Sequence, residues 1–492
     1  METRLPTIKG HVQDVDSARV TDSKKMPYNA FFQRDVPAED TELTHTGPGT
    51  PMGELMRRYW QPVCLSQQLA DMPMAIRILG EDLVVFRSGA GKVGVLQLHC
   101  SHRGTSLEYG LTTEEGIRCC YHGWLYGVDG TILETPGEPA DSRLKYSFRH
   151  GAYPAIEKHG LVFAYFGEPS KIPEFPEYES INVPGNTVYP FSWKFPCNWL
   201  QIQENIADQV HTMIFHNGVG SRAMLEGKGN LTAETWTTQE LVLPPAWFAE
   251  KYAIDYRKTQ DGSGLITTVT RRVGDHVWVR NNYLVVPNYM EIAGLFEPAS
   301  AQKYFGRVGL IRWHVPHDDR STTIFGWRYF NDEVDPDKVG DPTKLGVEGC
   351  DFMEGQTGGR PEEIRRRYPG DWDVVVGQRP IAVHAKEHLG STDVGVAMWR
   401  SVCREAVRDN FEGAGRAKVG SSPLNSYAQN TVFKLPTQSD EKREQELLKE
   451  CGRKVVDVVV SGDECRPETR TEEIRRRLVT LEGGLQAKYG GG

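Results

Sequence analysis

Cys100 and His102 stand two positions apart, and after a gap of sixteen residues Cys119 and His122 stand three apart. Each pair offers one thiolate and one imidazole on a short loop. Four such donors can close a tetrahedral zinc shell. They can also hold a [2Fe–2S] cluster, with both sulfurs on one iron and both ring nitrogens on the other. Replacing two thiolates by neutral imidazoles lowers the negative charge on such a cluster and raises its potential. Gly123-Trp124 and Asp129-Gly130, which follow the second pair, make the iron–sulfur reading the more specific one. The nine cysteines are scattered and odd in number, which does not describe a disulfide framework. In a reducing compartment, Cys beside His reads as metal ligation.

A second constellation runs from Asn198-Trp199 to His216 and contains Glu204, Asp208, His211 and His216. An iron that must accept O₂ needs two imidazoles and one carboxylate on one side, with open positions opposite. His211 and His216 would supply the imidazoles. On a regular helix Glu204, Asp208 and His211 share a face, whereas five residues turn His216 about 140° away from His211. The spacing therefore predicts a π-type bulge or a helix end between the two histidines. An Asp and a His three apart are, taken alone, more often a surface polar pair.

With these motifs the chain resembles the Rieske non-haem iron oxygenases, especially the phthalate-dioxygenase-like group built from one subunit type. The resemblance spans about Gly47 to Arg400. It is carried by Gly47-Pro48-Gly49-Thr50-Pro51-Met52-Gly53, Arg58-Tyr59-Trp60-Gln61-Pro62-Val63, the cluster loops, Tyr121-His122-Gly123-Trp124 and Glu134-Thr135-Pro136-Gly137-Glu138-Pro139. It implies that Cys100, His102, Cys119 and His122 hold a Rieske [2Fe–2S] cluster. Cys120, where the family has proline or a small residue, is then a bystander. His211 and His216 would bind a mononuclear Fe(II), with a third ligand shortly before Pro380-Ile381 and Glu387-His388-Leu389-Gly390-Ser391-Thr392-Asp393. Alignment on Pro380-Ile381 favours Asp371, with Asp373 as the alternative; Asp371 also reads as a helix N-cap. Val376 and His384 depart from the family pattern and weaken the placement of this helix.

The resemblance gives Asp208 a different task, bridging His211 to a cluster histidine, His122, across a subunit boundary. That implies a homotrimer arranged head to tail. It further implies a separate NAD(P)H-dependent flavin and iron–sulfur reductase; no dinucleotide-binding fingerprint occurs in this chain. The expected activity is O₂-dependent hydroxylation of a small aromatic compound, carboxylated or phenolic. O- or N-demethylation with release of formaldehyde is the alternative. An electron carrier without oxygenase activity is a further one, although it would not need residues 180–430.

The elements that must position these residues suggest an α+β protein. Residues 1–47 read as an arm, 48–175 as an antiparallel β domain around the cluster, and 176–435 as a catalytic domain with a large antiparallel sheet and packed helices. Residues 436–492 read as a charged, partly helical extension. Thr50-Pro51 opens a helix. Strands are expected at 75–79, 82–87, 93–98, 161–167, 240–243, 265–272, 277–286, 306–315 and 322–330. Prolines 173, 176, 184 and 190 mark a linker. Helices are expected over 197–216, 361–368 and 373–408. The pocket walls should come from 218–295 and 347–360, with Arg222, Arg271, Arg272 and Arg280 as candidate partners of a substrate carboxylate. A net charge of −9 argues against a nucleic-acid partner. No apolar run reaches the length of about 18 residues that suggests a membrane span. With no signal-like start, a cytoplasmic location is expected.

Overall fold

Leu161-Val162-Phe163-Ala164-Tyr165 lacks the alternation of a half-exposed strand, and its packing explains why. In a computed structural model, which describes residues 39–216, 251–295, 299, 301–352, 355–411 and 424–490, this strand is buried along its whole length. The strand expected over 240–243, most of the N-terminal arm and Arg222 lie outside the described residues. The strand, β11, lies between β1 (Trp60–Leu65) and β10 (Ala155–Lys158). Its Phe163 meets Trp313 and Trp327 of the next domain edge-on, with ring centroids 5.3 and 5.7 Å apart. The first domain is thereby seated on the second.

Two further small sheets complete the first domain. One joins β2 (Met74–Ile78), β3 (Glu81–Arg87), β4 (Val93–Gln97) and β9 (Ala152–Tyr153). The other joins β5 (Leu111–Thr112), β6 (Gly116–Arg118), β7 (Leu125–Gly127) and β8 (Ile132–Glu134). The cluster motifs sit in the loops after β4 and between β6 and β7.

The second domain is built on a nine-stranded sheet whose strand pairings are antiparallel. Its strands are β12 (Thr187–Phe195), β13 (Tyr252–Lys258), β14 (Gly264–Val273), β15 (His276–Val285), β16 (Tyr289–Ala293), β17 (Lys303–Gly306), β18 (Val308–Asp318), β19 (Ser321–Phe330) and β20 (Gln429–Lys434). The main order is β12-β19-β18-β16-β15-β14-β13, with β20 on β15 and β17 on β20. β12 takes in the end of the stretch expected to be a linker. It pairs only with β19 along that path, and an edge strand tolerates Pro190.

One face of this sheet carries Trp313 and Trp327 against the first domain. The opposite face carries Trp193, Trp278, Met290, Leu310 and Ile324, which pack with Ile202 and Val375 of the helices described next. Those helices are α3 (Trp199–Ala207), α4 (Gln209–Ile214) and α6 (Asp371–Val376). The others are α1 (Thr41–Thr44), α2 (Pro51–Met56), α5 (Glu362–Arg367), α7 (Val394–Phe411), α8 (Glu441–Ser461) and α9 (Pro467–Tyr489). Two expected helices are therefore divided: 197–216 breaks at Asp208, and 373–408 breaks between α6 and α7, around Pro380. The last two helices pack their apolar sides on Val277 and Val279 of the sheet. Arg272 of β14 grips Glu444 of α8 through Nε and Nη2 at 2.6 and 3.1 Å. Among the described residues no helix is long and apolar enough to cross a membrane.

Candidate iron–sulfur and mononuclear metal centres

The two cluster loops are built alike. The Gly104 amide donates to the Cys100 carbonyl at 2.8 Å, and the Gly123 amide to the Cys119 carbonyl at 3.1 Å. Each turn closes on a glycine in the left-handed region, at φ +76 in both, a conformation that costs glycine nothing. Cys100 and Cys119 are buried side by side, and Cys120 next to them is exposed. Burial, followed by the neighbouring Cys100, pushes the Cys119 thiol up. His102 and His122 meet edge to face with centroids 4.5 Å apart, and His102 stacks on Trp124 at 4.8 Å. Two thiols and two imidazoles thus converge at one tip of the domain.

Sequence reasoning missed two supports of this tip. Tyr126 OH lies 2.9 Å from Cys100 Sγ. Buried His150 links Ser101 Oγ, at 2.6 Å, to the Gln97 carbonyl at 2.8 Å. Neither stands at a ligand spacing, so only the fold reveals them.

The second site starts from Asn198, whose side chain caps α3 through the Leu200 amide at 3.0 Å. Its amide nitrogen donates to the carbonyls of Thr44 and Asp319 at 2.8 and 2.7 Å. The helix then stops at Asp208, which is extended with φ −81 and ψ 94. The Asp208 carboxylate caps α4, accepting from the amides of Val210 and His211 at 2.9 and 3.3 Å. His211 Nδ1 is bonded to the Asp208 backbone carbonyl. After α4 the chain enters a π-helical turn at Phe215 and His216, the irregularity that the spacing predicts. Because of the break, Glu204 does not share a helix face with Asp208 and His211. It is instead paired with Arg400 through Nε and Nη2, at 2.5 and 3.0 Å.

His211, His216 and Asp371 converge. One ligating atom from each lies within 4.8 Å of the others. Asp371 Oδ1 is 3.7 Å from His211 Nε2 and 3.5 Å from His216 Nε2, and is buried without a hydrogen-bond partner. Gln356 holds the other oxygen, and Asn205 Nδ2 lies 3.5 Å from His211 Nε2. Burial pushes His216 down, favouring the neutral imidazole that binds metals. Burial also works to raise Asp371, but His216, His211, Gln356 and Arg312 together hold its carboxyl below the usual range. Asp373 is otherwise engaged: it accepts from the Gly370 amide at 2.9 Å and pairs with Arg360 at 2.5 Å and Arg365 at 3.4 Å. Gly370 is the helix cap, and Asp371 is the first residue of α6.

A second acidic group, Glu204, His384 and Glu387, also clusters among the described residues. A cation already stands there: Arg400 reaches Glu387 at 2.6 and 3.0 Å as well as Glu204. The expected substrate arginines have structural duties. Arg272 belongs to the Glu444 grip, Arg280 donates to the carbonyls of Gly294 and Ala293 at 2.6 and 3.0 Å, and Arg271 lies over the Trp278 ring at 5.0 Å.

A model of the Rieske [2Fe–2S] domain matches residues 59–153. The chain is 43% identical over 467 residues to the tert-butanol monooxygenase / tert-amyl alcohol desaturase oxygenase subunit of Aquincola tertiaricarbonis, covering 93% of this chain and 97% of that one. The chain belongs to the Rieske oxygenases. It is also 34% identical over 416 residues to the phenoxybenzoate dioxygenase subunit alpha of Ectopseudomonas oleovorans, covering 82% of this chain and 92% of the relative. The fold is that of dicamba monooxygenase bound to dicamba, at a TM-score of 0.50 and 15% identity over 73% of this chain and 98% of that one. As a Rieske oxygenase the chain is an oxidoreductase that uses O₂, takes electrons from a separate reductase, and works with a [2Fe–2S] cluster and a mononuclear iron. The zinc and electron-carrier readings fall with that membership. Both donor sets suit these cofactors: two sulfurs with two nitrogens in one, and two imidazoles with an unbonded buried carboxylate oxygen in the other.

Proposed function

We propose that this Rieske oxygenase hydroxylates a small aromatic compound carrying a carboxylate or phenolic oxygen. Cys100, His102, Cys119 and His122 would hold its cluster, and His211, His216 and Asp371 its mononuclear iron. The observation that carries the reading is the convergence of the last three around one unbonded carboxylate oxygen. When bound, the two centres supply electron delivery and oxygen activation. The chain's own residues position and exclude. Gln356 fixes Asp371, the cap at Asp208 aims His211, and the aromatic layer of Trp193, Trp278 and Phe352 keeps water from the inner face of the sheet.

Asp208 of one protomer would bridge His211 to His122 of its neighbour, so that a homotrimer is the working unit. Light scattering on the purified chain should return three chain masses. The reductase would be an NAD(P)H-dependent flavin and iron–sulfur protein.

The 43% identity to an oxygenase of tert-butanol favours a second reading, in which the substrate is a small branched alcohol. One assay separates the two. The full chain with a surrogate flavin and iron–sulfur reductase is given ¹⁸O₂ and a panel of aromatic acids, phenol ethers, N-methyl compounds and tert-butanol. Label in an aromatic product supports hydroxylation, and formaldehyde marks demethylation. Turnover of tert-butanol with no aromatic product would replace the aromatic reading. His211→Ala should keep the visible spectrum of the cluster and lose all turnover; an active variant would sink the iron assignment.

A further inference from the structure

Buried arginines in this fold mostly have acids. Arg272 is held by Glu444, Arg328 by Asp351, Arg400 by Glu204 and Glu387, and Arg470 by Glu179. Arg312 of β18 is different. It is 4% exposed and its Nε donates to Met290 Sδ at 3.1 Å. Among the described residues no carboxylate forms an ion pair with it, and its guanidinium has no other hydrogen bond.

Its place in the fold is set by register. Arg312 stands opposite Met290 on β16, and Met290 packs with Ile202 of α3 and Val375 of α6. Arg312 therefore enters the layer between the sheet and the helices that present Asp371 and lead to the histidines. The charges of Arg312 and Asp371 act on one another. Burial pushes the guanidinium down to about 10, which leaves it charged at neutral pH. Asp371 is already engaged by Gln356 and faced by both histidines.

A buried charge without a paired partner is costly, and a guanidinium has five donors to satisfy. The layer holds the apolar Trp278, Ile292, Leu310 and Ile324, and two other buried arginines on this face are bound elsewhere, Arg280 to the carbonyls of Gly294 and Ala293 and Arg328 to Asp351. A largely apolar layer with a buried cation that no acid pairs among the described residues, beside a reacting centre, has the make-up of a site for a small apolar molecule with one anionic end. The flat fork of a guanidinium matches a carboxylate with two parallel hydrogen bonds.

We propose that Arg312 binds the carboxylate of the substrate and so determines specificity, turning the remainder of the molecule toward His211, His216 and Asp371. This rests on the reading of those three as the iron site, and it narrows the substrate to an organic acid.

The test measures binding of matched probes to the full oxygenase by calorimetry, with and without its mononuclear iron. The pairs are benzoate with benzamide and pivalate with pivalamide. In the wild type, at least one acid should bind about tenfold or more tightly than its amide, the effect of one charge-assisted contact. Arg312→Gln should bring acid and amide to within about twofold, with or without the mononuclear iron and with the cluster spectrum unchanged. Should that variant fail to fold, Arg312→Lys should weaken acid binding about tenfold and leave amide binding in place, because the fork geometry is lost while the charge stays. Amides bound as tightly as acids by the wild type, an acid preference that survives Arg312→Gln, or equal losses of acid and amide in Arg312→Lys would each overturn the assignment. A preference shown by pivalate alone would sink the aromatic reading and leave Arg312 in place.

Discussion

Asp371 and Asp373 lie two residues apart on the first turn of one helix, yet their surroundings give them opposite work. Asp371 is turned toward two imidazoles with one oxygen unbonded, and Asp373 is spent on a helix cap and two arginines. Asp371→Asn should therefore lose most of the mononuclear iron, read by metal analysis, while the cluster absorption stays. Asp373→Asn should keep the iron and instead lower stability by about 1 kcal/mol or more, the usual cost of losing a charged cap and partner. Iron retained by Asp371→Asn and lost by Asp373→Asn would reverse the two roles. That His211 and His216 come together was legible because their spacing is local. Asp371 was not, since nothing near it in sequence signals a metal, and only resemblance to a family pointed there. Arg312 gave no signal at all, because an arginine on a strand reveals its lack of an acid only after the strands have paired.

At the scale of elements, the break at Asp208 is the feature on which the site turns. Helical spacing suggested a single helix, but the Asp208 side chain competes for the following amides, as acidic caps do. Asn caps a helix about as well as Asp. Asp208→Asn should therefore leave folding and cluster reduction intact and slow electron delivery to the iron, seen in a single-turnover experiment; an unchanged rate would remove the relay. Asp208→Ala should also lose about 1 kcal/mol of stability. Strand β16 offers a test of pH. Buried Glu291 accepts from Tyr289 OH and Ser426 Oγ, both at 3.0 Å, and burial pushes its carboxyl up to about 7. A raised carboxyl stabilises the fold in its protonated form, fully below pH 4.5, and that contribution fades as pH rises through about 7. Thermal scans should show the wild type losing on the order of 3 kcal/mol between pH 5 and 9. Glu291→Gln should lose much less, and parallel curves would contradict the assignment. Most long strands were legible from their apolar runs, whereas β12 was hidden by Pro190, which an edge position tolerates.

On the scale of the whole molecule, the stretch after residue 435 is part of the core. Its outward faces carry Glu–Arg pairs at three- and four-residue spacing, which made it read as a charged tail. Its inward faces supply Leu447, Leu448, Val455, Ile474 and Leu478 to the sheet. Glu444 is fully buried against Arg272. Glu444→Ala strands that arginine and should cost about 3–5 kcal/mol, measured as a lower urea midpoint at unchanged slope. A loss below about 1 kcal/mol would place the pair among ordinary surface contacts.

The nine cysteines are unevenly reachable. Six are buried, two are half-buried and Cys120 is exposed, next to buried Cys119. A maleimide dye offered to the separated protomer should therefore couple first at Cys120. The dye would then stand at the tip that carries the cluster loops, and its emission would report the approach of any partner surface. The residue that contributes least to the chemistry becomes the most convenient place from which to watch assembly.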